Sequence, residues 1–488
     1  MSNPDVLLTH AYFLEEDAGE QKVMKPYPPL GILYISAFLD LQNIDNEVFD
    51  TTFSNKKTFF DFLITHRPKY VGIYTNLVTK VNVIKIINFI KNEKSLKSTK
   101  IIVGGPDTRY NAENLLNNNA DFIVIGEGES TFFELIAELK RQENALQNIP
   151  ENKLESTSEN ISENIKNLKN IAGIAFFDEN KKFFLSPERT KIKEIDSLPF
   201  PNRHKIDFDN YLNSWKQNHG YSAMTISTMR GCPYTCKWCS RAVYGVSYRR
   251  RSAKNVVAEL KQILEKYNPD MFWFVDDVFS VSFKWLDEFA QELENQKVTI
   301  KYECITRADR MNANVIDLLK KSGCFRVWIG AESGSQRVID MMDRRVRVEQ
   351  VREMIQLSQK QGIEAGTFIM LGYPNETEED ILETVKHLKI SNPDIFTITI
   401  AYPIKGTELY EEIQSESNEK ELDWAQTTDR QIDFPRTYTR AYYAHAVKYV
   451  QSEVNFHKLQ LKAKHFSKRG LSLKIRSIYH KMQMQIKK

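Results

Sequence analysis

A repeated switch between two hydrophobic periods constrains this chain more than any other feature. Short apolar runs at DVLLT (5–9), NEVFD (46–50), YVGIYT (70–75), IIVGG (101–105) and DFIVIGEGE (121–129) read as strands. They alternate with segments of helical spacing at 31–42, 58–66, 81–92, 112–118 and 130–142. Continuous apolar strands are buried on both faces, and parallel neighbours need a helical crossover. Five such pairs predict an α/β, doubly wound, Rossmann-like domain over 1–142. Its ligands belong at the carboxyl ends of the strands, where Thr75 and Asn76, Gly104 and Gly105, and Gly126, Glu127 and Gly128 fall.

A second alternation occupies 222–410. Strands are expected at 223–228, 271–275, 299–305, 325–330, 367–372 and 395–401. Helices such as 255–267 lie between them, with Val256, Val257, Leu260, Ile263 and Leu264 on one face. Six parallel strands with right-handed crossovers predict a partial (β/α)6 barrel of the TIM type, with its chemistry at the carboxyl-terminal mouth. Residues 143–221 connect the two domains. They comprise a polar, Asn- and Glu-rich insertion read as mobile, a small hairpin over 173–189 and an extended linker at 197–203.

From 411 to 488 the pattern turns helical and polar. The last 34 residues hold ten Lys or Arg and no Asp or Glu, so against a whole-chain charge of +3 the rest stands at −7. Such an end is ordinarily a solvated helix, and it also suits peripheral contact with an anionic membrane surface or substrate.

Composition narrows the class. With 488 residues, 41% hydrophobic and 27% charged, the chain is neither disordered nor fibrous. No apolar run approaches the roughly 18 residues of a membrane span, and MSNPDVLLTH lacks a secretory pattern. A cytoplasmic protein is expected, membrane-associated only through the basic tail. The net charge of +3 argues neither for nor against a nucleic-acid partner, but no aromatic-basic RNA-binding module is evident, and none is expected.

Five cysteines are too few for a disulfide framework. Cys304 and Cys324 read as core fillers. Cys232, Cys236 and Cys239 instead crowd a turn made by Gly231, Pro233 and Lys237, directly after the first barrel strand. Three thiolates suit zinc or a [4Fe–4S] cluster. Structural zinc needs four closed ligands, and no fourth Cys or His stands at finger spacing. Three ligands without a fourth point to a cluster with one open iron.

This CxxxCxxC loop, with Trp238 before its third cysteine, resembles the radical S-adenosylmethionine superfamily. The resemblance implies that the open iron binds S-adenosylmethionine and that cluster reduction releases a 5′-deoxyadenosyl radical, which takes hydrogen from substrate. Flanking segments resemble the same family: Asp276 and Asp277 after the second strand, Arg307 after the third, Gly330 to Ser335 after the fourth and Gly372-Tyr373-Pro374 after the fifth. By that resemblance Arg307 is assigned to the cofactor's carboxylate, and Glu332 and Ser333 to its methionyl or ribose groups. Trp238 and Asp277 join them as cofactor-binding candidates.

A doubly wound domain before such a barrel is similar to the cobalamin-dependent branch, which includes anaerobic magnesium-protoporphyrin ester cyclase and related methylases. Lys25-Pro-Tyr-Pro-Pro-Leu-Gly31, Gly104-Gly105-Pro106-Asp107 and Gly126-Glu127-Gly128-Glu129 carry that likeness. None of the nine histidines lies in an Asp-x-His-x-x-Gly pattern, so a histidine-ligated cobalt is not expected. Phe434 to Tyr438, with Tyr442 and Tyr443, resembles the segment after the barrel in the same group, where aromatics either cover substrate or simply pack.

The resemblance implies a [4Fe–4S] cluster, S-adenosylmethionine and cobalamin as cofactors, a small-molecule or lipid substrate, and an electron donor such as flavodoxin or ferredoxin. Methylation of an unactivated carbon is the leading expectation, at two S-adenosylmethionine molecules per methyl group. Radical oxidative cyclisation or rearrangement of a tetrapyrrole-like or other small molecule is the alternative. Transfer-RNA methylthiolation is excluded, because no cysteine precedes Cys232 to hold a second cluster.

Overall fold

The computed structural model describes residues 4–147, 164–416, 424–427 and 434–488. Most of the polar insertion between 141 and 170 lies outside the described residues. Two compact units emerge: Met1–Ser222 with Arg241–Arg249 and Glu421–Thr428, and Ala223–Ser240 with Arg250–Lys420 and Asp429–Lys488.

In the first unit β1 (Val6–His10), β2 (Asn46–Phe49), β3 (Tyr70–Tyr74), β4 (Lys100–Gly104) and β5 (Phe122–Val124) pair in parallel. Their order, β2-β1-β3-β4-β5, reverses beside β1, which opens a crevice at the carboxyl edge. Leu7, Val71, Ile73, Ile101 and Val103 pack against Ile87 and Leu115 of the crossover helices Lys80–Asn92 and Thr108–Asn117. Each is at most 2% exposed, and burying one such side chain contributes roughly 1.5–3 kcal/mol.

The hairpin turns where the sequence indicates, but it is not an isolated piece of the connection. Its strands β6 (Ile174–Phe177) and β7 (Phe183–Leu185) extend the same sheet, with Ala175 opposite Ile123 in antiparallel register. After the proline-stiffened linker comes a helix, Phe208–His219. Asp207 caps its start, accepting from the Asp209 N–H, and Gly220 ends it at φ +78°. Its Trp215 is buried and donates from Nε1 to the Pro26 carbonyl at 2.7 Å.

In the second unit β8 (Ala223–Ile226), β11 (Met271–Phe274), β12 (Tyr302–Thr306), β13 (Cys324–Glu332), β14 (Glu364–Leu371) and β15 (Ile395–Ile400) lie side by side in chain order, all parallel. The two-residue strands β9 (Met229–Arg230) and β10 (Arg249–Arg250) fall between β8 and β11 in the chain. When every crossover steps to the next neighbour with one hand, the sheet curls, and six strands make a half-barrel. Ser252, Ser282, Asn312 and Thr377 each cap the helix that follows, and Thr377 forms a reciprocal capping box with Asp380.

The expected polar tail has a core of its own. Tyr442, Tyr443, Val450 and Val454 of the helix Arg440–Leu461 are fully buried, so these tyrosines are packing residues. A last helix, Lys468–Ile486, packs beside it. Among the described residues no helix is long and apolar enough to cross a membrane.

Candidate active site

The thiol loop begins where β8 ends. Asp276, just past β11, is buried and accepts from the Thr228 N–H at 2.7 Å and the Met229 N–H at 3.2 Å. It therefore fixes the segment that leads into Cys232, a positioning role the sequence does not reveal. Farther along, the Lys237 N–H donates to the Met342 carbonyl at 3.2 Å and its own carbonyl accepts from the Leu409 N–H at 3.0 Å. Cys236 is buried, while Cys232 and Cys239 are half-buried. Burial pushes the Cys232 thiol up from its ordinary range.

Two guanidinium groups converge on the central thiol. Arg307 Nη1 lies 3.5 Å from Cys236 Sγ, and Arg344 Nη1 lies 3.9 Å from it. Arg307 is held on three sides: Nε donates to Asp309 at 2.8 Å, Nη2 donates to the Arg344 carbonyl at 2.6 Å, and its plane stacks on Tyr234 at 3.9 Å. Burial works against its charge, but the Asp309 partnership outweighs this and keeps it protonated. Both guanidiniums thus place positive charge directly beside the central sulfur.

Arg344 also ties in Glu332. Its Nη2 donates to the Gly330 carbonyl at 2.8 Å and stands 3.4 Å from Glu332 Oε1. Gly330 makes this approach feasible, since a Cβ there would meet Arg344 Nη2 at 2.3 Å. Glu332 sits in a left-handed conformation at φ +65°, and burial raises its carboxyl above the usual range despite the two arginines. Ser333 is buried, with Oγ accepting from the Ser335 N–H at 3.1 Å. Asp277 is exposed beside the buried Asp276. The Trp238 ring packs on a cluster containing Tyr373 and Phe434, and its buried Nε1 has no partner among the described residues.

These residues fit a cluster with an exchangeable ligand. An orphaned indole N–H and a buried carboxylate beside two cations are suited to a polar, zwitterionic occupant. Among the described residues no three His, Cys, Asp or Glu side chains are arranged to hold a single metal ion. A four-iron cube is a larger body and asks for wider spacing.

In the first unit the carboxyl edge is built from backbone. The Thr75 N–H donates to the Gly104 carbonyl at 2.7 Å, and the buried Thr75 Oγ1 has no partner among the described residues. Gly105, at φ +116°, lies so close that a Cβ would meet the Thr75 carbonyl at 2.2 Å. Asn76 is engaged locally, Oδ1 accepting from the Val78 and Thr79 N–H groups at 2.9 and 3.0 Å. Gly126, at φ +84°, turns the chain after β5, and Gly128 opens the helix Gly128–Gln147. Glu127 is fully committed: both oxygens accept from Arg249 Nη1 at 2.8 Å, and Oε2 also takes the Ile192 N–H at 2.8 Å. His10, at the end of β1, engages both ring nitrogens, with Asp50 at 2.9 Å and the Tyr12 N–H at 3.2 Å. A side-chain-poor crevice with one orphaned hydroxyl fits a large flat ligand approached by backbone.

Sequence reasoning missed Arg344, Tyr234 and the positioning role of Asp276. Arg344 lies 108 residues from Cys236, and its only local mark is the basic pair Arg344-Arg345 in a turn.

Two family models match the chain. Residues 226–388 match the model of the radical SAM superfamily, and residues 21–136 match that of the B12 binding domain. An uncharacterized methyltransferase of Pyrococcus horikoshii is 27% identical over 404 residues, spanning 81% of this chain and 80% of the relative. The anaerobic magnesium-protoporphyrin IX monomethyl ester cyclase of Rubrivivax gelatinosus is 22% identical over 410 residues, spanning 81% and 68%. Among solved structures, the cobalamin-dependent S-adenosylmethionine radical enzyme OxsB, with aqua-cobalamin and S-adenosylmethionine bound, shares the fold. Its TM-score is 0.73 at 16% identity, covering 99% of this chain and 72% of that one.

Proposed function

Because the chain belongs to the cobalamin-binding branch of the radical S-adenosylmethionine superfamily, we propose that it methylates an unactivated carbon of a small molecule or lipid. The observation that carries this reading is the buried Cys236 thiol under the Arg307 and Arg344 guanidiniums, in a chain that also bears a glycine-edged B12-binding domain. The methyltransferase name of the Pyrococcus horikoshii relative favours methyl transfer over cyclisation.

When bound, the [4Fe–4S] cluster, S-adenosylmethionine and cobalamin supply the electron, the radical source and the methyl carrier. In this reading Cys232, Cys236 and Cys239 would hold three irons, with the Arg307 and Arg344 guanidiniums set beside the central sulfur. Arg307 is preset by Asp309 and Tyr234 to present a guanidinium fork toward a carboxylate. Glu332 accepts from an ammonium or ribose hydroxyl, with Ser333 and Asp277 beside the same strand ends. Trp238 offers its indole N–H. In the first unit Thr75, Asn76, Gly104, Gly105, Gly126, Glu127 and Gly128 form the cobalamin edge, with Glu127 positioning the turn through Arg249. A flavodoxin- or ferredoxin-type protein delivers the electrons.

The test uses anaerobically reconstituted protein given hydroxocobalamin, reductant, S-adenosylmethionine and extract from cells lacking the gene. 5′-Deoxyadenosine and S-adenosylhomocysteine are expected to rise together, dependent on extract and cobalamin. Cys236→Ala is expected to lose cluster absorbance and both products, by about a thousandfold or more. Deoxyadenosine alone would move the assignment to cyclisation or rearrangement, and neither product would overturn it.

A further inference from the structure

The last helix is amphipathic in the reverse of the usual sense. Lys468–Ile486 turns Gly470, Ser477, His480 and Met484 inward. Its large apolar residues point away: Leu471, Ile475, Ile478, Met482 and Ile486 are 52–66% exposed. At 100° per residue these five fall within one stripe, opposite the buried set. Phe466, in the turn that leads into the helix, is 90% exposed and is joined by Leu461 at 60%. A surface helix of a globular protein normally buries this stripe.

The arrangement is not loose packing, because the polar face is pinned. Glu453 accepts from Lys389 at 2.8 Å, Lys474 at 3.1 Å and Ser477 Oγ at 2.5 Å. Glu378 accepts from Gln485 and Lys488 at 2.8 Å each, and Thr439 Oγ1 donates to the Lys487 carbonyl at 2.7 Å. Burial opposes the Glu453 charge, but Lys389, Ser477 and Lys474 hold its carboxyl down at about 2. Rotating the helix to hide its apolar stripe would break its contacts with Glu453, Glu378 and Thr439.

Charge then selects the occupant. Arg469 and Arg476 border one side of the stripe, Lys481 the other, and Lys468 sits at its start; all four are exposed. The final 34 residues contain no acid. A second copy of the helix would bring cations against cations. An anionic lipid surface satisfies both features, with acyl chains for the stripe and headgroups for the basic borders. From Leu471 to Ile486 the stripe runs roughly 22 Å at 1.5 Å per residue, long enough to lie in the interface plane.

We propose that the helix Lys468–Ile486, with Phe466, is a peripheral membrane anchor that lies flat on anionic lipid. The full chain is mixed with vesicles of phosphatidylcholine, or of phosphatidylcholine with an equal part of phosphatidylglycerol, and sedimented. Wild type is expected to pellet with the anionic vesicles only. Ile475→Asp with Met482→Asp should weaken partitioning about a hundredfold, and Arg469→Gln with Arg476→Gln about tenfold, as should raised salt. All four positions are exposed, so circular dichroism and melting temperature should match wild type and separate lost binding from lost folding. Wild type remaining in the supernatant, or variants that pellet equally well, would overturn the anchor. So would a concentration-dependent dimer abolished by the double Asp variant in the absence of lipid, which would assign the stripe to a second copy.

Discussion

At the carboxyl edge of the first sheet the strands end in Thr75, Gly104, Gly105 and Gly126, whereas those of the second end beside Asp276, Arg307 and Glu332. Both sheets line up the carboxyl ends of parallel strands, yet one edge presents backbone and the other presents charge. On the proposed reading the first edge takes a rigid macrocycle recognised by shape, which calls for residues that stay out of the way. The second edge, on the same reading, takes a small zwitterion recognised by charge, which calls for fixed ions whose burial is offset by partners such as Asp309. The first edge should therefore fail through added atoms and the second through altered charge geometry.

Of the two edges, the first carries the larger expected loss of cofactor binding. Gly105→Ala places a Cβ against the Thr75 carbonyl at a φ that side chains rarely adopt, and cobalamin retention by equilibrium dialysis should fall about a hundredfold. Iron content after reconstitution should stay at the wild-type level. Loss of both would break the division of labour between the sheets.

Arg307→Lys is smaller and tests the other side. It keeps the charge but loses the fork that reaches Asp309 and the Arg344 carbonyl together, so S-adenosylmethionine binding should weaken about tenfold with cobalamin binding unchanged. Unaltered binding of both cofactors would remove Arg307 from the site.

The smallest effect is a pH slope. Glu376 follows β14, takes the Gly372 N–H at 2.6 Å, and is pushed by burial from 4.5 to about 8. Between those values the folded chain binds a proton that the unfolded chain has released, so stability falls as pH rises. Glu376→Gln should flatten the melting temperature across that interval. An unchanged slope would locate the pH dependence elsewhere.

Much of this was legible in the sequence because it is local. Strand and helix periods marked every parallel strand of both sheets, and the spacing of Cys232, Cys236 and Cys239 marked the loop. What was hidden depends on partners distant in sequence. Nothing within the hairpin says that Ala175 pairs with Ile123, and nothing near Arg344 says that it reaches Cys236. The helix Phe208–His219 does carry a local signal, Phe208, Tyr211 and Trp215 after the cap Asp207, but the prolines before it pull the reading toward a linker. The tail shows the limit of periodicity most directly: Leu471, Ile475 and Ile478 announce an apolar stripe, and only tertiary packing reveals that it faces outward.

The bracing of the thiol loop bears on how such an enzyme is assembled. Asp276 grips Thr228 and Met229, while Lys237 is tied through its backbone to Met342 and Leu409, all by ordinary hydrogen bonds that need no iron. A zinc finger collapses when its metal leaves, because the metal is its core. If the three cysteines hold the cluster as proposed, this bracing predicts that removing iron leaves the loop folded and open to reloading. On that reading, cluster insertion would be a loading event on a finished scaffold, and oxidative damage would call for repair rather than resynthesis.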